Sequence, residues 1–146
     1  MAEVSNGHAN LHLHTVFSDG ELEPVEVVEA HAASGFNAIA LTDHDTLAGI
    51  DALGGLEGRS LRMIAGVELS IEDEPARGLV DVHLLGYGFA IGDRRLRRRL
   101  HEASEAREAQ KVETVRRLAA AGFKVAWGAV RSRAREPAPA HRLQRR

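Results

Sequence analysis

Apolar and polar positions alternate over a short early stretch, give way to a helical rhythm, and then alternate again. Asn10–His14 reads as a strand, with Leu11 and Leu13 on one face and His12 and His14 on the other. Ser18-Asp19-Gly20 marks a turn, Pro24 opens a helix where a missing N–H costs nothing, and Gly35 closes it after Ser34. Val25, Val28 and Ala32 fall at helical spacing within it. Asn37–Thr42 is a second, apolar strand. A short helix capped by Asp45 or Thr46 follows, running to about Leu53 and stopping at Gly54-Gly55. Leu61–Gly66 reads as a third strand that continues through Val67–Ile71. The acidic turn Glu72-Asp73-Glu74-Pro75 precedes a fourth at Leu79–Leu85. Asp93–Ala121 is one long helical pattern broken by Gly122. After Trp127 the pattern fades, and Arg131–Arg146, rich in arginine, alanine and proline, is expected to fray.

Strands alternating with helices predict an α/β fold built from βα units on a mostly parallel sheet. A length of 146 residues suits about one domain, and 44% hydrophobic with 27% charged residues is the balance of a folded globular chain. The absence of cysteine excludes disulfide staples and thiolate zinc sites. No apolar run approaches the ~20 residues of a membrane span, so no membrane partner is expected. The first residues lack the basic start and apolar core of a secretory signal, which makes a cytoplasmic location the expectation.

Charge divides the chain. Residues 1–90 hold fifteen acids against three arginines, whereas residues 91–146 hold sixteen bases against six acids. Six of the eight histidines also lie in the acidic part: His8, His12, His14, His31, His44 and His83. Imidazoles mixed with carboxylates make a ligand set for divalent cations, so the acidic part is read as the chemical part.

Four motifs carry that chemistry. In His12-Leu13-His14 the strand period of two sends both imidazoles off one face, where each can offer a nitrogen to a single cation. Leu41-Thr42-Asp43-His44-Asp45 closes the second strand, Gly66-Val67-Glu68 lies near the end of the third, and Val82-His83 lies in the fourth. Asp19 falls just beyond the first strand. Successive strands thus deliver metal-capable side chains near their C-terminal ends, where parallel α/β folds build active sites. Taken singly, each has a plainer use: surface histidines around a buried leucine, turn formation by Asp43 and Asp45, a solvent-facing Glu68.

Asn10-Leu-His-Leu-His-Thr-Val-Phe-Ser-Asp-Gly, Ala40-Leu-Thr-Asp-His-Asp-Thr-Leu-Ala-Gly, Gly66-Val-Glu and Val82-His-Leu-Leu-Gly-Tyr closely resemble the polymerase and histidinol phosphatase (PHP) domains. The likeness is to their stand-alone metal-dependent phosphoesterases and covers about residues 9–127. It implies a distorted (β/α)7 barrel, related to the TIM barrel, with two or three divalent metals at its C-terminal mouth. Carried over by motif, His12 and His14 would bind a first metal, Glu68 would bridge it to a second completed by His83, and Asp19 and His44 would hold a third. Asp43 and Asp45 resemble supporting residues that orient His44 or cap the next helix. The implied activity is hydrolysis of a small, nucleotide-type phosphate ester by metal-activated water, with manganese, zinc or iron as the cation.

The chain is short for that whole barrel. Members add later histidine and aspartate ligands, whereas only His101 and His141 follow His83 here, in settings unlike the family's. Asn10 stands where the family commonly has aspartate. The expectation is a partial barrel truncated on its C-terminal side. Residues 1–127 would form the metal-binding domain, and 128–146 a divergent, disordered basic tail. A half-barrel leaves an open sheet edge and an uncovered apolar face, both routes to self-association. The alternative function is therefore a catalytically impaired metal-binding or interaction module using the basic helix.

In that helix Arg94, Arg95, Arg97, Arg98 and Arg99 precede Glu102, Glu105 and Glu108. Arginine–glutamate pairing at i, i+4, such as Arg98 with Glu102, is favoured over nucleic-acid binding. One Trp and one Tyr make a poor stacking platform. Val112, Val115, Leu118 and Ala119, with Phe36, Phe89, Phe123 and Trp127, are expected to face the core.

Overall fold

The computed structural model describes residues 7–58 and 61–133. Four strands form one sheet in the order β1-β2-β3-β4: β1 (His8–Leu13), β2 (Phe36–Leu41), β3 (Arg62–Ser70) and β4 (His83–Tyr87). β1, β2 and β3 run parallel, joined by α1 (Pro24–Ala33) and α2 (Ala48–Ala52). The chain clusters into two compact units, residues 1–104 and 105–146. All four strands and both short helices belong to the first.

The central strand is apolar on both faces because both faces are covered. Ile39, Ala40 and Leu41 of β2 are fully buried, as expected for a parallel strand flanked by neighbours and helices. Val27 and Val28 of α1, Ile50 of α2, Met63 and Val67 of β3 and Leu100 close the core around them. The α1 boundaries follow local chemistry. The Glu23 N–H donates to the Glu26 carboxylate at 2.9 Å, Pro24 takes the first helical position, and Gly35 ends the element at φ 80°. Gly66 lets β2 and β3 approach closely, since a Cβ there would stand 2.7 Å from the Leu41 carbonyl oxygen.

The sheet curls. Laid flat, four strands would separate their outer members by about 14 Å. Yet the Tyr87 hydroxyl of β4 donates to the Leu11 carbonyl of β1 at 2.7 Å, across the concave side. The result is a four-stranded half-barrel.

Several expectations change. β4 starts at His83, not Leu79, and pairs antiparallel with β3, Ser70 opposite His83 and Gly66 opposite Tyr87. Residues 72–82 instead fold into a short excursion with a 3-10 turn at Pro75–Arg77, so β3 and β4 form a hairpin rather than a βα unit. In α1 Val27 takes the buried place expected of Val25, which is exposed, because the helix packs through its 24-27-28 face. Asp45 does not cap α2. Leu47 sits at the N-cap, and the Thr46 hydroxyl accepts the Ala48 N–H at 3.1 Å.

The long helix α3 (Arg94–Ala120) begins where Asp93 accepts the N–H groups of Arg95 and Leu96 at 2.8 and 2.9 Å, and Gly122 follows its end at φ 93°. Those bonds hold the Asp93 carboxyl below its ordinary range. Arg97 pairs with Asp51 of α2 through two bonds of 2.7 and 2.8 Å, and Glu102 lies 3.0 Å from Arg99 and 3.8 Å from Arg98. The helix-surface pairing read from the sequence is present.

Within the second unit, Glu113 accepts three bonds from Arg116 and Arg117. Val112, Leu118 and Ala119 are exposed there, Val115 only half-buried, and Phe123 is 63% exposed, so the expected core-facing stripe is not covered among the described residues. Amphipathic spacing identifies an apolar face but not a neighbour to bury it. A further helix, α4 (Trp127–Arg133), occupies residues expected to lose their pattern. The rest of the expected tail, 134–146, lies outside the described residues.

Candidate metal centre

Three parallel strand ends and the start of one antiparallel strand meet at a single rim. His14 follows β1, His44 follows β2, and Glu68 lies near the end of β3. Because β4 runs the other way, its first residue, His83, arrives at that same rim. The β1–β2 register slips by one residue between Asn10 and Leu13, just ahead of the rim. All six candidate ligands therefore converge: His12, His14, Asp19, His44, Glu68 and His83.

Glu68 is the hub. Its Oε2 lies 2.9 Å from His12 Nε2 and 3.1 Å from His14 Nε2, and its Oε1 lies 2.8 Å from His83 Nδ1. His44 Nδ1 is 3.8 Å from Oε2. Asp19 bridges the other side, 3.1 Å from His14 Nδ1 and 3.6 Å from His44 Nε2. Three overlapping groups result: His12, His14 and Glu68; His14, Asp19 and His44; His44, Glu68 and His83. Two ligands each about 2.0–2.2 Å from a shared cation lie at most roughly 4.4 Å apart. The separations above satisfy that bound, and the nitrogen–oxygen donor set suits a divalent transition metal.

Burial grades across the cluster. The side chains of Glu68 and His44 are 7% and 13% exposed, those of His83, His12 and Asp19 38%, 50% and 67%. A carboxylate is thus held at the floor while the outer imidazoles face solvent. Burial pushes the Glu68 carboxyl up, but hydrogen bonds from His12 and His83 and the nearby His44 outweigh it and leave the group below its ordinary range. Tyr87 is shifted up, first by burial and then by the Glu68 charge.

The two flanking aspartates hold backbone. Asp43, 2% exposed, accepts hydrogen bonds from Thr15 and Ser18, tying down the loop that carries Asp19. Asp45, at φ 52°, accepts the Ser70 N–H at 2.9 Å, while its own N–H donates to the Glu68 carbonyl and the Glu68 N–H donates to the Asp43 carbonyl. Both aspartates therefore stitch β2 to its neighbours.

Asn10, in the position where the resemblance leads one to expect aspartate, donates from Nδ2 to His31 Nε2 at 3.3 Å, and His31 Nδ1 donates to the Val27 carbonyl. His31 is thereby engaged with α1 and Phe36, and His8 also packs on Phe36, so neither joins the three groups. Sequence reasoning missed Thr15, Ser18 and Tyr87. The signal for Tyr87 was present, since it stands four residues after His83 and so shares its face of the strand.

Fold and site together define a barrel-related α/β protein with a multi-histidine centre suited to divalent cations. The chain belongs to the PHP domain family, whose model matches residues 10–129. It is 37% identical over 115 residues to a 5'-3' exoribonuclease of Haemophilus influenzae, covering 78% of this chain and 40% of that protein. It is 35% identical over 118 residues to a phosphoribosyl 1,2-cyclic phosphate 1,2-diphosphodiesterase of Eggerthella lenta, covering 80% of this chain and 44% of the relative. Among solved structures, a candidate metal-dependent phosphoesterase from Bifidobacterium adolescentis superposes with a TM-score of 0.74 at 30% identity, over 90% of this chain and 44% of that one. The chain therefore spans about two fifths of the length of these relatives.

Proposed function

We propose that this chain carries the metal-binding part of a phosphoesterase that hydrolyses a small, nucleotide-type phosphate ester. The observation that carries the reading is Glu68, a buried carboxylate touching three imidazoles, two from the end of β1 and one from the start of β4. The named activities of the two curated relatives, both cleavages of phosphate esters, support it. His12, His14 and Glu68 would hold one cation, Glu68 and His83 a second, and Asp19 and His44 a third, with manganese, zinc or iron as the candidates. Divalent cations in such a site neutralise phosphoryl oxygens and lower the pKa of water toward ~7. The protein's own contribution is orientation: Glu68 spaces the groups from below, and the solvent-facing His12, His83 and Asp19 leave the approach side open to a phosphate. Residues 1–127 as the metal-binding domain and cytoplasmic placement belong to the same proposal.

Purified protein supplied with manganese is expected to release phosphate from a generic aryl phosphate and to melt at a higher temperature. A cation at 100 times its dissociation constant stabilises by about 2.7 kcal/mol. His12→Ala is expected to lose both effects. Equal phosphate release by wild type and His12→Ala defeats the catalytic claim. A second reading, a metal-holding module without turnover, is favoured by the three donors per group among the described residues. It predicts the thermal shift with no phosphate release.

A further inference from the structure

Beneath the ligand groups lies a chain of hydrogen bonds that decides which nitrogen His14 can offer. The buried Asp43 carboxylate accepts the Thr15 N–H at 2.7 Å, the Thr15 hydroxyl at 2.8 Å and the Ser18 hydroxyl at 2.7 Å. Ser18 Oγ also lies 3.2 Å from Asp19 Oδ1 and 3.3 Å from His14 Nδ1. A hydroxyl has one hydrogen. Directed along its shortest contact to Asp43, it leaves Oγ only lone pairs to turn toward His14. The other neighbour of His14 Nδ1 is Asp19 Oδ1 at 3.1 Å, a further acceptor. With acceptors on both contacts, Nδ1 is placed to donate, and a cation drawn to Glu68 Oε2, 3.1 Å from Nε2, would then take the Nε2 lone pair.

We propose that Asp43 and Ser18 form a positioning relay that fixes His14 as an Nε2 ligand of the His12–Glu68 group and withholds it from the Asp19–His44 group. The relay rests on the metal-binding reading above. It resembles the common arrangement in which a ligating histidine gives its second N–H to a carboxylate, with a serine hydroxyl interposed. The surroundings are shaped to hold it. A Cβ on Gly49 would fall 2.4 Å from Asp43 Oδ2 and 3.0 Å from Thr15 Oγ1, and one on Gly20 would fall 2.3 Å from the His14 carbonyl oxygen. Only glycine at both positions leaves Asp43 and the loop where they are.

The test pairs zinc affinity, measured by chelator competition, with nitrogen NMR of the His14 ring in zinc-loaded protein. In zinc-loaded wild type, Nε2 is expected to be the zinc-bound nitrogen of His14 and Nδ1 the protonated one. Ser18→Ala is expected to weaken zinc binding roughly 10–100-fold. Ser18→Thr, which restores the hydroxyl, is expected to recover it. Asp43→Asn should follow Ser18→Ala if it folds, and the serine variants decide the matter if it does not. A zinc-bound Nδ1 in wild type overturns the relay, as does Ser18→Ala binding zinc as tightly as wild type while His12→Ala binds it more weakly. Equal zinc binding by wild type and His12→Ala instead defeats the metal-binding reading.

Discussion

Asp43 and Glu113 each accept three hydrogen bonds, and the two make instructive opposites. Asp43 lies 2% exposed at the rim of the half-barrel and binds a backbone N–H and two hydroxyls from a loop 25 to 28 residues away in sequence. Glu113 lies on the surface of α3 and binds Arg116 and Arg117, three and four residues along the same helix. The count of bonds is equal, but their energetic meaning is not. A buried acceptor that loses its partners strands donors away from water, at about 1–3 kcal/mol each. An exposed one exchanges them for solvent, which screens its ion pairs and leaves them little net effect. Hence the rim can hold a charged cluster in fixed geometry, whereas the arginine-rich helix is a solvated surface.

Perturbing the rim should produce the largest change in stability. Gly49→Ala gains up to about 1 kcal/mol of helix propensity, but its Cβ must displace an Asp43 oxygen that three bonds hold in place. Overpacking of that kind costs about 1–3 kcal/mol, so urea unfolding should show net destabilisation and a lower melting temperature. A Gly49→Ala protein as stable as wild type would mean that the Asp43 network is slack. An intermediate effect is expected from Arg97→Ala, which breaks the paired bonds to Asp51 between α3 and α2. Both partners are substantially solvent-exposed, at 40% and 49%, so the loss should be about 1 kcal/mol or less in a urea titration. The bonds from Arg97 hold the Asp51 carboxyl below its ordinary range. This support is therefore present above that range and fades as pH falls through the lowered value.

Glu113 should matter least. Bonds from Arg116 and Arg117 draw its pKa down from 4.5 to about 2. A lowered carboxyl contributes above its unfolded value and loses the contribution as it protonates. Helix content followed by circular dichroism should therefore decline only slightly, and only as pH falls from 4.5 toward 2. Glu113→Gln at neutral pH should melt indistinguishably from wild type. A Glu113 effect rivalling that of Gly49→Ala would erase the contrast between buried and exposed networks.

Legibility followed the same divide between local and non-local causes. The three parallel strands, both helix stops at glycine, and all six candidate ligands could be read from the chain, because alternation and motif spacing are local. The reversal of β4 could not. Its residues alternate equally well in either direction, and the pairing of Ser70 with His83 depends on how the 72–82 excursion folds back. The misread Val25 belongs to the same class, since helical spacing allows several faces and packing selected the one containing Val27 and Val28. Val112, Leu118 and Phe123 show the limit from the other side: the pattern marks an apolar face, and burial requires a neighbour.

The sequence by itself determined which groups could serve as ligands and which strand ends would present them, because residue chemistry and side-chain period are properties of the chain. Only the tertiary structure decided that Glu68 sits between three imidazoles, that His83 reaches the rim from an antiparallel strand, and that Asp43 reaches His14 through Ser18. These are distances between segments far apart in sequence, set by the curl of the sheet and the packing beneath it.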